Sequence, residues 1–379
     1  MSLFVKRSIV LMPLVSVCLF SCKKEPATPE VDDSLLLGGE GAYANCYMIQ
    51  DAGKYKIEAK RVDGSLVENI ESADWIWSEC DQNPQGLLSE VSYSEGVIRF
   101  TAAAQRGNAV IGAFDADGKV LWSWHIWNSD AVSLDQVDNG TRFMDRNLGA
   151  RSNNPADVAL TYGLKYQWGR KDPFYGGAKN ETVAFSQAEG NVIFNEACDM
   201  KWGVALSSAE TGTVDFATAN PTTFIYSEVN DVKDWMWVKN SYLWETKNTE
   251  AKTIYDPCPA GYQVPADNAW KGVRYDNTYE KDGGKEHTTE AGNKIWWPLC
   301  GTRWGDRDAG ILGYVYEKSD EVEGGQGIYW KRSTNMTGTN AGCLYFLNGS
   351  YTDAGHGMYR AHGCAVRCEY IGEESPIYF

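Results

Sequence analysis

Two alternating apolar runs, Asn108-Ala109-Val110-Ile111-Gly112-Ala113-Phe114 and Val120-Leu121-Trp122-Ser123-Trp124-His125-Ile126-Trp127, flank the turn Asp115-Ala116-Asp117-Gly118. Alternation at period two marks strands, and Asp-Gly supplies the positive φ of a tight hairpin. In the second run Trp122, Trp124 and Ile126 share one face, while Leu121, Ser123, His125 and Trp127 share the other. Shorter strands are predicted over Tyr47-Met48-Ile49, Tyr55-Lys56-Ile57-Glu58-Ala59 and Val97-Ile98-Arg99-Phe100, with turns at Asp51-Ala52-Gly53 and Glu95-Gly96. Helix-length periodic segments are nearly absent, so the pattern predicts a mostly β chain with an α+β remainder. Frequent turns between short strands predict an immunoglobulin-like β-sandwich over residues 41–130. Residues 131–379 form the larger, loop-rich unit.

The start of the chain is patterned differently. Basic Lys6 and Arg7 precede an apolar run from Ser8 to Phe20, then Ser21-Cys22. This is the layout of a secretory signal. The run is interrupted by Pro13 and falls short of the ~20 residues that a spanning helix needs. Leu19-Phe20-Ser21-Cys22 resembles the lipobox of bacterial lipoproteins. The resemblance implies a signal peptide over residues 1–21, lipidation of Cys22, and an outer-membrane lipoprotein of the cell envelope, exposed at the surface. Residues 22–40, rich in Pro, Glu, Asp and Gly, read as a flexible tether.

Composition narrows the partners. The chain carries 35 Lys and Arg against 51 Asp and Glu, a net charge of −16, which repels phosphate backbones and argues against nucleic-acid binding. Fifteen tryptophans and twenty-one tyrosines exceed what the short aliphatic runs lead one to expect. Most fill volume between strands, and the remainder are candidates for platforms on which sugar rings stack. The candidate binding residues are Trp235, Trp237, Trp296, Trp297, Trp304 and Trp330, with Arg303 and Asp306 to orient hydroxyl groups. Asp234 and Arg307 lie beside them in sequence.

Five landmarks punctuate the second unit in order. They are Arg142-Phe143-Met144-Asp145-Arg146-Asn147-Leu148-Gly149-Ala150, Tyr162-Gly163-Leu164-Lys165-Tyr166-Gln167-Trp168-Gly169, Asp256-Pro257-Cys258-Pro259-Ala260-Gly261-Tyr262, Gly327-Ile328-Tyr329-Trp330, and Ala361-His362-Gly363-Cys364-Ala365-Val366-Arg367-Cys368. Residues 142–370 thereby resemble the Fibrobacter succinogenes major paralogous domain, which has a C-type-lectin-like (formylglycine-generating-enzyme-like) fold. The preceding unit is similar to a β-sandwich module of Bacteroidetes fimbrillin-like and adhesin-like lipoproteins. Two departures stand out: Tyr329-Trp330-Lys331-Arg332 replaces the family's aromatic-Trp-Ser-Ser, and Gly261-Tyr262 its Gly-Trp.

Outside the signal and Cys22, Cys46 and Cys80 lie in the first unit and Cys198, Cys258, Cys300, Cys343, Cys364 and Cys368 in the second. An even count in each unit of an exported chain permits disulfides, Cys46 with Cys80 among them, with buried free thiols as the alternative. The family resemblance implies the pair Cys258–Cys368. A zinc site at His362, Cys364 and Cys368 lacks a second Cys/His pair to close the tetrahedron. Asp306-x-Asp308 reads as an ion-paired loop rather than a calcium site. No nucleophile elbow, zincin motif or redox-active cysteine pair is evident, so no enzymatic activity, metal or cofactor is expected. The sequence thus predicts a lipid-anchored surface adhesin that meets a glycan or protein ligand through the loops of a lectin-like domain. A fimbrial tip or accessory subunit, with pilus subunits as partners, is the alternative, and a lectin-fold enzyme the third reading.

Overall fold

The computed structural model describes residues 32–81, 86–176, 184–185, 202–228, 233–306, 309–316, 325–334, 340–347, 349 and 351–372. Cys22 and Cys198, and with them the signal and most of the tether, lie outside the described residues. Strands dominate, as the alternating pattern predicts; among the described residues helix is limited to Val214–Ala219 and short 3-10 turns such as Pro155–Thr161.

Eight strands build the N-terminal part: β1 (Leu35–Leu37), β2 (Cys46–Ile49), β3 (Gly53–Glu58), β4 (Ser72–Cys80), β5 (Leu88–Ser94), β6 (Val97–Ala102), β7 (Gly107–Phe114) and β8 (Val120–Asn128). They form two sheets, ordered β1-β3-β6-β5 and β4-β7-β8-β2. The expected hairpin is β7–β8, with Ile111 opposite Trp124 and Gly118 in the turn at φ 78°. Trp122, Trp124 and Ile126 pack with Ala109, Ile111 and Ala113 against Tyr55, Ile57, Ile98 and Phe100 of the other sheet.

The second face of the β7–β8 sheet is buried too, because the C-terminal half lies on it. All eight residues of β7 are buried. Cys46, Ile76, Trp77, Val110 and Trp127 share a core with Met144, Leu148, Tyr166 and Trp168. Trp77 meets Trp202 edge-on at 5.6 Å, and Ala184–Phe185 adds a short strand to the β4 edge. The core is therefore continuous across residues 130 and 131, and the chain from Ser34 on packs as one compact unit. Cys46 belongs to this second face and Cys80 to the sandwich interior, so the candidate pair is not formed, and both side chains are buried.

Polar groups trapped at this seam are paired. Lys171 Nζ donates to Ser123 Oγ (2.5 Å) and Asp172 Oδ1 (2.6 Å). The Asn108 amide donates to Glu79 and to the Gly149 carbonyl, which leaves its Oδ1 to accept from His125 Nε2 at 2.8 Å. Burial pushes the His125 pKa down to about 3, so the folded protein keeps this ring neutral. The unfolded chain takes up that proton near pH 6.5. The stability contributed by neutral His125 is therefore full above pH 6.5 and falls as pH drops toward the folded value. We expect His125→Gln, which retains the donor to Asn108, to flatten the acid limb of a denaturation series between about pH 6 and about pH 4 by one proton's worth, about 1.4 kcal/mol per pH unit. An unchanged slope would contradict the assignment.

The C-terminal half centres on a sheet ordered Lys165–Gln167, Gly363–Ala365, Cys300–Arg303, Gln326–Thr334, Asn340–Leu347 and Thr352–Tyr359, with Leu312–Val315 also paired to Cys300–Arg303. A hairpin sheet, Thr278–Lys281, Gly284–Thr288 and Lys294–Pro298, lies beside it. The five sequence landmarks converge along the last strands. Leu148 N–H donates to the Val366 carbonyl (2.8 Å), Met144 N–H to that of Cys368 (3.0 Å), and Trp330 Nε1 to that of Tyr166 (2.7 Å). The Cys258 and Cys368 sulfurs are 2.03 Å apart, a disulfide that closes 110 residues. The buried Asp256 carboxylate shapes the turn before it by accepting from the Cys258 and Val264 N–H groups, with Lys252 Nζ 3.3 Å away.

Candidate ligand-binding surface

Strand pairing gathers aromatic rings that are far apart in sequence. Leu312–Val315 runs antiparallel to Cys300–Arg303. Gly313 leaves room for the Trp304 indole, whose Nε1 would lie 2.6 Å from a Cβ at that position. Trp304 meets Tyr314 edge-on at 5.5 Å and His362 at 5.2 Å, and His362 meets Tyr359 at 5.6 Å. The Gly305 N–H donates to His362 Nδ1 (2.7 Å), fixing the ring, and burial pushes its pKa down to about 4. Lys233 sits over the Tyr359 ring and is held by Asp306 at 2.8 Å.

A second aromatic group stands on the neighbouring strands, where Cys343 opposes His356 and Tyr345 opposes Asp353. Tyr345 stacks on His356 at 4.7 Å and meets Tyr351 edge-on at 5.5 Å. The Tyr351 hydroxyl and His356 Nδ1 both lie 3.3 Å from Asp353 Oδ2, long contacts that leave this oxygen able to accept from a ligand hydroxyl. Tyr314 is 53% exposed and Tyr351 43%, while Tyr345, His356 and Trp304 are half-buried. Burial first, then Tyr351, Cys343 and Tyr314, push the Tyr345 pKa up, which puts Tyr314 of the first group within electrostatic reach of the second; together they make an aromatic tract with hydroxyl, imidazole and carboxylate groups at its rim. Such rings offer a wide apolar face at little entropic cost.

Two residues beyond Tyr314, Tyr316 lines a groove of about 490 Å3 together with Asn154, Pro155, Ala156, Val158, Lys281 and Asp282. One wall is the Pro155–Thr161 turn, capped by the Asn154 side chain accepting from the Ala156 N–H. The other is the hairpin turn at Asp282 and Gly283, both at positive φ (50° and 78°), as a two-residue loop requires. A Cβ on Gly283 would lie 2.5 Å from the Tyr316 ring, so glycine is what lets the ring lie against the turn. Lys281 is paired with Glu286 at 2.8 Å.

The sequence-predicted residues scatter relative to this surface. Trp304 and Asp306 belong to the tract. Trp296 is half-buried below the groove rim, with Nε1 donating to the Lys281 carbonyl (2.8 Å). Trp237 is 54% exposed but sits elsewhere, beside Gly212. Trp235, Trp297, Trp330 and Arg303 are buried, which corrects their assignment as ligand platforms. Trp235 Nε1 donates to the Trp168 carbonyl, Trp297 packs among Phe143, Trp270 and Tyr329, and Arg303 donates to the Tyr175 and Gly310 carbonyls. Asp234 is buried against Arg360 at 2.5 Å, and Arg307 lies outside the described residues. Tyr314, Tyr345, Tyr351, His356 and Tyr316 were not singled out by sequence, nor was the Asp282-Gly283 dipeptide, a turn signal that could have pointed to the groove. Among the described residues no group of His, Cys, Asp and Glu is arranged to hold a metal, and Cys368 is taken up by its disulfide. No family model, curated protein or solved structure matches this chain.

Proposed function

We propose that the protein is an exported, lipid-anchored surface binding protein that recognises a glycan through the aromatic tract of its C-terminal half. On this reading residues 41–130 are an immunoglobulin-like spacer and residues 131–379 a lectin-like domain of the Fibrobacter succinogenes major paralogous type. The observation that carries the reading is the tract itself: partly exposed Tyr314 and Tyr351 beside Tyr345, His356 and Asp353. A sugar presents apolar C–H faces to such rings and hydroxyls to the carboxylate between them. The convergence of the landmarks on the last strands supports the family resemblance, and the basic, apolar, Ser-Cys start supports the anchor.

Tyr314→Ala and Tyr351→Ala are each expected to weaken binding to an immobilised glycan by roughly 3- to 10-fold, the value of one lost aromatic contact. Trp237→Ala, on a separate surface, should leave binding unchanged. Loss of binding in Trp237→Ala with both tyrosine variants intact would move the site and overturn the proposal.

A further inference from the structure

The groove beside Tyr316 has a volume of about 490 Å3, within the ~300–1,000 Å3 range of small-molecule sites. Its walls are of two kinds. Pro155, Ala156, Val158 and the Tyr316 ring supply apolar surface, while the Lys281–Asp282 turn supplies polar groups. The charges around it are already matched on the cationic side: Lys281 and Lys294 both pair with Glu286 at 2.8 Å, and Lys285 pairs with Glu280 at 3.4 Å. The Asp282 carboxylate, at the groove, has no ion-pair partner among the described residues. In the tract, Lys233 is likewise committed to Asp306. Among the described residues, a ligand arriving here meets the Asp282 carboxylate and no ammonium that lacks a carboxylate partner, on a chain whose net charge is −16.

From this we infer that the groove is a subsite for an uncharged saccharide, whose hydroxyls donate to Asp282 while a ring face packs on Tyr316. An acidic sugar is disfavoured there, because its carboxylate or sulfate meets Asp282 while the Lys281 ammonium is already neutralised by Glu286. The inference rests on the glycan reading above and extends it, because Tyr314 and Tyr316 are two residues apart and place groove and tract along one chain segment.

Two variants isolate the groove. Ala156 is exposed on the groove wall, so Ala156→Trp fills the space without touching the core. Lys281→Gln removes the one cation of the lining while keeping the turn. The probes are neutral oligosaccharides (cellohexaose, mannohexaose, xylohexaose) and oligogalacturonate, titrated calorimetrically against the full chain. A neutral oligosaccharide should bind with an affinity insensitive to salt between about 0.05 and about 0.5 M, since no ion pair screens away. Ala156→Trp should weaken it about tenfold or more, equivalent to ~1.4 kcal/mol. Selective binding of oligogalacturonate that is lost with salt or in Lys281→Gln overturns the inference while leaving a glycan-binding protein. Full affinity in Ala156→Trp, with binding lost in Tyr351→Ala, also overturns the groove and leaves the tract. Binding of no saccharide at all overturns both.

Discussion

Replacing Cys258 and Cys368 together by serine is expected to cost about 4–5 kcal/mol of stability, the loop-closure entropy of a cross-link spanning 110 residues. The bond joins the turn shaped by Asp256 to the final strand, where Met144, Leu148 and Gln263 are also fastened. Unfolded chains lacking it gain the freedom of the whole intervening segment. Calorimetry should register a fall in melting temperature of roughly 5–8 °C, since at about 2.1 cal/mol/K of unfolding entropy per residue 1 kcal/mol shifts a unit of this size by about 1.5 °C. Reductant should reproduce the loss in the parent and have no further effect on the variant. A buried cysteine outside this bond offers the control. Cys343→Ala removes a thiol from the core without releasing a loop, so its effect should not depend on redox conditions. A double variant within 1 kcal/mol of the parent would contradict the pairing's structural role.

Expression of residues 34–130 alone is expected to give an aggregated or unfolded product, although they contain one whole sheet and four of the five strands of the other. Separation bares the second face of the β7–β8 sheet. Seven residues of that part, Cys46, Ile76, Trp77, Val110, Phe114, Val120 and Trp127, belong to the core shared with the C-terminal half. At roughly 1.5–3 kcal/mol per buried large apolar side chain, re-exposing them costs as much as the whole ~5–15 kcal/mol stability of a typical domain. Polar groups suffer as well. Asn108 loses the Gly149 carbonyl, Ser123 loses Lys171 and Asp172, and Glu79 loses Arg151 at 3.2 Å. A monomeric fragment with cooperative unfolding and dispersed amide resonances would contradict this account of the seam.

How far the sequence could be read depended on whether a feature was local. The β7–β8 hairpin was legible because alternation and an Asp-Gly turn lie within one short stretch, and the faces came out as the pattern implied from Trp122 on; a register shift at the turn end puts Leu121 on the sandwich side instead. Strand β4, Ser72–Cys80, escaped because a bulge between Trp75 and Trp77 breaks its alternation. The joined core was hidden for a related reason. Ser123 and Asn108 look like solvent-facing positions, yet each has its partner on another segment. Burial of Arg303 and Lys171 is invisible for the same cause, since the carbonyls and carboxylate that accept from them arrive from elsewhere in the chain.

Three of the tryptophans singled out, Trp235, Trp297 and Trp330, are buried. Tryptophans drew attention because they crowd the loops, but the indole is the side chain a β-rich core most readily consumes, with its one N–H satisfied by a backbone carbonyl. Trp168, Trp235, Trp244 and Trp330 all do this. Tyrosine keeps a hydroxyl that prefers water and so remains at the rim. Tyr314, Tyr345 and Tyr351 come together only through the register of three different strand pairings and a turn, which no window of sequence displays.

The central claim, that the aromatic tract is where this protein meets a sugar, is tested most directly by solution NMR of the full chain titrated with the oligosaccharide that binds best in the calorimetric panel. The account predicts saturable shifts concentrated at Tyr314, Tyr345, Tyr351 and His356, with Trp237 unmoved. Shifts confined to Trp237 and its neighbours, or none anywhere at saturating sugar, would contradict it.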